Sequence, residues 1–230
     1  MRRLARITGT LMIIAGIGAL AWSLTVWQWQ DPFTAATNRL EQRQLAQSLE
    51  DSFKRYNSSA QPATGTTSRS SLARDGAAWR RRVARGEAVG RLRVPRLDLD
   101  TVIVNGTDDR SLKRGPGRYL GSKAPGEGEL VYVAGHRTTH GAPFSRIDRL
   151  RRGDSVLIEV PYGVFEYRVT GFRIVPATRT SELRSRGFEQ LVLQACHPRF
   201  FASERYIVYA KPVRVTPRAG RPLLFAALGR

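Results

Sequence analysis

The chain has 230 residues, 41% of them hydrophobic, with one Cys, three His, and 38 Lys+Arg against 19 Asp+Glu. One Cys excludes an intramolecular disulfide and a structural zinc site built on several thiolates, and the apolar fraction excludes wholesale disorder. The net charge of +19 comes almost entirely from Arg; it is spread along the whole chain, as a G+C-rich codon bias would leave it, so no nucleic-acid partner is expected.

From Ile7 to Gln30 no residue is charged. As a helix the stretch would span about 36 Å, against roughly 30 Å of bilayer hydrocarbon. Arg2, Arg3 and Arg6 precede it and Asp31 follows. The positive-inside rule then keeps the N-terminus in the cytoplasm and sends the rest outside. Trp22, Trp27 and Trp29 lie toward the outer end, where indole rings favour the headgroup region. A cleaved signal peptide is the competing reading. The apolar run is longer than such peptides use, and Thr34-Ala35-Ala36 is a weak cleavage site. Residues 1–30 therefore read as a cytoplasmic tip and an uncleaved signal anchor, making a single-pass protein of the cell membrane.

Residues 31–88 read as an extracytoplasmic stalk, partly helical. Leu45, Leu49, Phe53 and Tyr56 form one amphipathic stripe, which could pair with a second copy but is too short to claim a coiled coil. SSAQPATGTTSRSS, 58–71, has a linker's composition, and 73–88 is Arg-rich and ambiguous. Such a stalk would hold the downstream domain off the membrane.

From Val89 the pattern turns to strands: 89–94, 100–105, 129–135, 154–160, 164–175, 190–196 and 205–213 are short, rich in β-branched and aromatic residues, and separated by Pro, Gly and Asp. Pro161-Tyr162-Gly163 fits a hairpin turn, and short helices fit near 107–113, 143–150 and 180–186. So many strands in some 125 residues predict an all-β sandwich or closed barrel over 89–215. The tail 216–230 has an apolar run too short to span a bilayer and is expected to pack on the barrel or fray.

The chemistry-bearing residues are few. Cys196 ends an apolar strand and is followed by His197 and Pro198. A free Cys is ordinarily a buried small hydrophobe, but one placed outside the cell beside separate His residues suggests a thiol nucleophile. An unperturbed thiol is only about 3% thiolate at pH 7, so it needs a cationic or basic neighbour. His197 adjoins Cys196 and so points to the opposite face of the strand. His136 ends another apolar strand, and His140 follows in the same polar loop; either could serve. A zinc site of His136, His140 and Cys196 is a further alternative. Arg205 opens the next strand and could donate to an oxyanion or a substrate carbonyl.

GHRTTHGAPFSRIDRLRRGD, 135–154, followed by LVLQACHPRFFASERYIVYA, 191–210, resembles the sortases, membrane-anchored cysteine transpeptidases of Gram-positive bacteria, and among them class E of actinomycetes. The resemblance covers about 89–213. It implies an eight-stranded sortase-type β-barrel with short helices. Cys196 would be the nucleophile, His136 the general acid/base, and Arg205 the residue that holds the substrate backbone and the oxyanion. It also implies cleavage of a C-terminal Leu-Pro-X-Thr-Gly or Leu-Ala-X-Thr-Gly signal between Thr and Gly, through a thioester. The partners would be surface proteins or pilins carrying that signal, and a peptidoglycan-precursor amine or a pilin Lys as acceptor. Tyr119, in GPGRYLG, matches a Tyr that class E enzymes are thought to use in selecting Ala at the second signal position. No cofactor and no metal are expected, since no acidic cluster demands calcium.

Two positions depart from the family pattern. Ala195 stands where Thr usually precedes the Cys, and if that hydroxyl met substrate one hydrogen bond would be lost, roughly 0.5–1.5 kcal/mol. His140 stands where Tyr is expected, and it could alter the groove. Ala195, His140 and Tyr119 are accordingly grouped as substrate-binding candidates. A catalytically weak sortase-like peptide-binding module and a hydrolytic thiol protease are the alternative readings; an anchored polyanion-binding domain would leave the Cys, His and Arg unexplained.

Overall fold

The computed structural model describes residues 2–29, 32–59, 68–218 and 221–225. Helix α1, Arg2–Trp29, contains Arg6–Leu24, 19 residues long and apolar enough to cross a membrane. Leu11, Ile13, Ile17 and Leu20 stand exposed along it, as a lipid-facing helix requires. Among the described residues it is the one helix long and apolar enough to cross a membrane, the form a single-pass anchor takes. Trp27 and Trp29 fall in its last turn.

Helix α2, Pro32–Ser59, does not stand free. Leu45 and Leu49 are 2% exposed, and with Phe53 they join the same core cluster as the barrel's own Val102, Val104 and Leu92. The Phe53 and Tyr56 rings meet Trp79 edge-on at 6.3 and 5.9 Å. Gln42 completes backbone hydrogen bonding at the sheet: its Oε1 accepts from Val102 N (2.7 Å) and Thr101 Oγ1 (2.9 Å), and its Nε2 donates to Arg114 O (2.7 Å). The stripe expected on a stand-off stalk, or between two copies, is thus spent inside one chain. The apolar sheet face is tethered to it at high local concentration, and burying it there removes the apolar area from water.

Helix α3, Arg69–Arg82, begins on a capping box between Ser68 and Ser71 and buries Leu72, Gly76 and Trp79. Trp79 Nε1 donates to Val89 O at 2.8 Å. Residues 60–67 of the expected linker lie outside the described residues.

The strands are β1 (Ala88–Val94), β2 (Leu99–Asn105), β3 (Gly117–Arg118), β4 (Leu130–Gly135), β5 (Ser155–Val160), β6 (Gly163–Pro176), β7 (Gln190–His197), β8 (Glu204–Pro217) and β9 (Leu223–Leu224). They order as β6-β5-β1-β2-β3-β4-β7-β8, and β6 pairs with β8 to close the ring. The result is the expected closed eight-stranded β-barrel; β9 adds to β8 outside the ring. Period-two burial makes it close: Val156, Ile158 and Val160 on β5, and Leu191, Leu193 and Ala195 on β7, all enter one core. Pro161-Tyr162 forms the β5–β6 turn. β3 has no signature in the sequence, because two residues carry no alternation; it forms where the chain is drawn parallel to β2, Gly117 against Val104. The short helices are α4, Asp109–Arg114, capped by Asp108 Oδ1 accepting from Ser111 N at 3.1 Å, and 3-10 turns at Pro95–Leu97, Ile147–Arg149 and Ser181–Leu183.

Candidate active site

One rim of the barrel gathers the candidate residues, and strand register does the gathering. β4 and β7 run parallel, Ala134 beside Gln194 and Gly135 beside Ala195, so continuing the ladder sets His136 beside Cys196. β7 and β8 run antiparallel with Cys196 opposite Arg205. Side chains of paired residues share a face. His136, Cys196 and Arg205 therefore extend the outward row that includes Tyr132, Val192 and Ile207, the second apolar cluster of the domain.

Cys196 is a half-buried free thiol. His136 is half-buried, with Nε2 out of solvent and without a hydrogen-bond partner. Its ring stacks on His140, centroids 5.0 Å apart. Burial above all, then the charge of His140, holds the His136 pKa below the ordinary imidazole value; Asp109 opposes this and Lys113 adds to it. The stack depends on backbone that turns back sharply: His140, Gly141 and Ala142 all have positive φ, of 52, 73 and 38°. Gly141 has no room for a Cβ against the Asn38 side chain of α2. Arg205 Nη1 donates to Ala202 O (2.7 Å) and Glu204 O (2.9 Å), so its guanidinium also ties the β7–β8 loop.

Ala195 does not take the substrate-facing place expected of it. It is 1% exposed and belongs to the barrel core, on the opposite face from Cys196. Its side chain does not line the outer groove, so a missing hydroxyl at 195 is an interior packing difference rather than a lost substrate contact. His197 also turns away, as its position beside Cys196 required. It meets Arg137, which nothing in the sequence distinguishes from the other 33 Arg residues. The Arg137 side chain is only 5% exposed. Its Nη1 lies 2.8 Å from His197 Nδ1 and 3.5 Å from Cys196 O, its Nη2 lies 3.1 Å from Asp148 Oδ2, and its guanidinium sits 5.7 Å from the Tyr206 ring centre. Arginine has no acceptor, so His197 Nδ1 accepts and Nε2 carries the proton. Arg137 thereby clamps the end of β7 to the loop that bears His136. A buried partner for a basic side chain is the kind of signal that only three dimensions provide.

Tyr119 lies farther along the outer face. Its N–H donates to Tyr132 O at 2.9 Å, and its ring meets Tyr132 edge-on at 6.1 Å. Tyr132 pairs with Val192, four residues or about 13 Å along β7 from Cys196. The turn is fixed beneath by buried Arg118, which donates to Asn105 Oδ1 (2.8 Å) and Ser122 O (2.6 Å) and whose pKa burial lowers to about 10. The β6–β7 loop folds over the same face: Tyr209 Oη donates to Glu182 Oε2 at 2.6 Å. Among the described residues no group of three or more His, Cys, Asp or Glu side chains is arranged to hold a metal ion.

A closed barrel with a thiol, an imidazole and a guanidinium on one outer rim is the framework of a cysteine-dependent acyl-transfer enzyme. A family model described as the Sortase domain matches residues 92–213. The chain is 33% identical over 157 residues to Sortase D of Bacillus subtilis, covering 66% of this chain and 77% of that protein. It is 31% identical over 156 residues to Sortase SrtE1 of Streptomyces coelicolor, covering 60% of this chain but 44% of that protein. Sortase E from Streptomyces avermitilis superposes with a TM-score of 0.53 at 28% identity, covering 58% of this chain and 93% of that one. The chain belongs to the sortase family, whose transpeptidases act on cell-wall and pilin substrates. These relatives do not single out class E, since the D-class and E-class proteins are similar to it to nearly the same degree.

Proposed function

We propose that the protein is a membrane-anchored sortase that cleaves a C-terminal signal of the Leu-Ala/Pro-X-Thr-Gly type between Thr and Gly, of the class E kind. The N-terminus would lie in the cytoplasm and the barrel outside. The strand register that sets His136, Cys196 and Arg205 on one outer rim carries this reading. An extended signal peptide lies along the outer face with its Thr carbonyl at Cys196. The Cys196 thiolate attacks that carbon, and Arg205 stabilises the oxyanion. The tetrahedral adduct collapses as His136 protonates the leaving Gly nitrogen, leaving a thioester. An incoming amine, from a peptidoglycan precursor or a pilin Lys, gives its proton to His136 and takes the acyl group, restoring the thiolate. The second signal position, two residues or about 7 Å before the Thr, would fall between Cys196 and the Tyr119–Tyr132 pair, and the Tyr119 side chain is proposed to reach back to it.

The test incubates the full chain in detergent with Leu-Ala-X-Thr-Gly and Leu-Pro-X-Thr-Gly peptides and an amine, and mass spectrometry reads the products. A Thr–amine adduct that disappears in C196A supports the reading. Free Thr acid alone, with amine present, favours a hydrolase. A folded protein that neither cleaves nor traps a thioester overturns it in favour of a binding module.

A further inference from the structure

We infer that the rim bearing Cys196 docks on the outer leaflet of the protein's own anionic membrane, with Phe200 and Phe201 entering the headgroup region. The inference starts from α2. Near its first turns Asn38 Nδ2 donates to Lys113 O at 2.9 Å and its side chain packs against Gly141, in the loop after His136. At its other end Tyr56 meets Tyr162, on the β5–β6 turn at the far end of the barrel. α2 thus runs the barrel's length, about 27 Å from residue 38 to 56, and begins at the rim that bears Cys196. The chain leaves α1 at Trp29, and at most about 20 Å of backbone separates that point from Asn38. The anchor therefore reaches the barrel at the Cys196 rim. The far end is reached only after the whole length of α2.

That rim carries what a lipid interface takes. The β7–β8 loop, three residues past His197, presents Phe200 and Phe201 at 52% and 81% exposure. Phe200 has φ of 73°, a conformation bulky side chains rarely adopt, so the loop holds these rings outward against a local backbone cost. On β6, Phe172 stacks on Tyr206 yet remains 58% exposed. Arg199, beside Phe200, donates to Ser145 O and so brings exposed Arg146 to the same loop, and exposed Arg173 follows Phe172 on β6; Asp148, also exposed, is paired with Arg137. Aromatic rings flanked by Arg suit the boundary between anionic headgroups and acyl chains. A soluble partner would not explain why the tethered end and the aromatic end coincide. The inference rests on the fold, on α1 as an anchor and on the proposed orientation with the barrel outside, and it does not depend on the transpeptidase reading.

The single native Cys makes the test direct. The full chain carrying C196A and F201C is spin-labelled at residue 201 and reconstituted into phosphatidylcholine vesicles containing phosphatidylglycerol. Power-saturation electron paramagnetic resonance compares collisions with apolar O2 and with a water-soluble nickel chelate. C196A with K211C, labelled on exposed Lys211, is the control. The expected result is a label at 201 favouring O2, at a depth of about 5–10 Å, with the label at 211 in water. A 201 label as water-accessible as that at 211 overturns the inference. So does one shielded from both reagents, which would mean contact with protein. Neither result touches peptide cleavage, which is read separately on the unmodified chain.

Discussion

Replacing Leu49 by Ala tests whether α2 is part of the folded domain or a stalk. Leu49 is 2% exposed and sits with Leu45 and Phe53 in the cluster that continues through Val102, Val104 and Leu92 into the barrel. Truncation removes three buried carbons, one methine and two methyls, about 2.4 kcal/mol of transfer free energy at roughly 0.8 kcal/mol each. The helix is tied on both sides of the site, by Gln42 to Val102 and Arg114 and by Phe53 to Trp79, so collapse around the cavity is limited. The residual void then raises the cost to about 3–4 kcal/mol, inside the range for Leu→Ala in cores. Exposed Glu50, next to it on the helix, should change stability by less than about 0.5 kcal/mol when replaced by Ala. Urea denaturation of the full chain in a mild detergent, followed by near-UV dichroism, gives both midpoints. A Leu49→Ala cost below about 1 kcal/mol, equal to that of Glu50→Ala, would refute the docking of α2. Gln42→Ala gives an independent check. It leaves Val102 N and Thr101 Oγ1 without their acceptor, and it should cost about 1–3 kcal/mol without creating a large cavity.

Arg137→Lys keeps the charge but cannot reach Asp148, His197 and the Cys196 carbonyl together; kcat for signal-peptide cleavage should fall about tenfold or more with KM little changed, and a change in KM alone would contradict a clamp on the β7 end. His140→Asn tolerates the positive φ and removes the cationic form that lowers the His136 pKa. The His136 titration, followed by NMR of its ring carbon, should move to higher pH, and an unchanged or lower value would contradict the stacked arrangement. The sign for stability follows from the same shift: because the folded state holds His136 below its unfolded pKa, the unfolded chain binds more protons there. That contribution to stability falls as the pH drops through the unfolded value and is absent well above it. Ala195→Thr puts two extra heavy atoms into a full interior and should cost about 1–3 kcal/mol without lowering KM; tighter peptide binding at unchanged stability would show that residue 195 does reach substrate.

The elements that repeat along the chain were legible in it. The uncharged run from Ile7 needs no partner to be recognised, because bilayer thickness sets its length. The strands on Val156, Ile158 and Val160 and on Leu191, Leu193 and Ala195 announce themselves by period two, which also predicted that His197 would turn away from Cys196. The order of a His ending one strand, a Cys ending another and an Arg opening the next carried the family.

Other features depend on what meets what across long stretches of chain, and they have no local signature. β3 is two residues long and exists because Gly117 can lie against the backbone of Gly106, where a Cβ would collide. The Leu45–Leu49–Phe53 stripe is visible in sequence, but whether it faces a second copy, solvent or its own barrel is settled by the apolar surface it finds. The same holds for Arg137, one Arg among many until Asp148 and His197 close around it. It also holds for Ala195, whose place beside the nucleophile in sequence is an opposite face in space. Sequence adjacency fixes which residues are neighbours along a strand. Only the pairing of strands fixes which side chains share a surface, and catalytic geometry is a property of that surface.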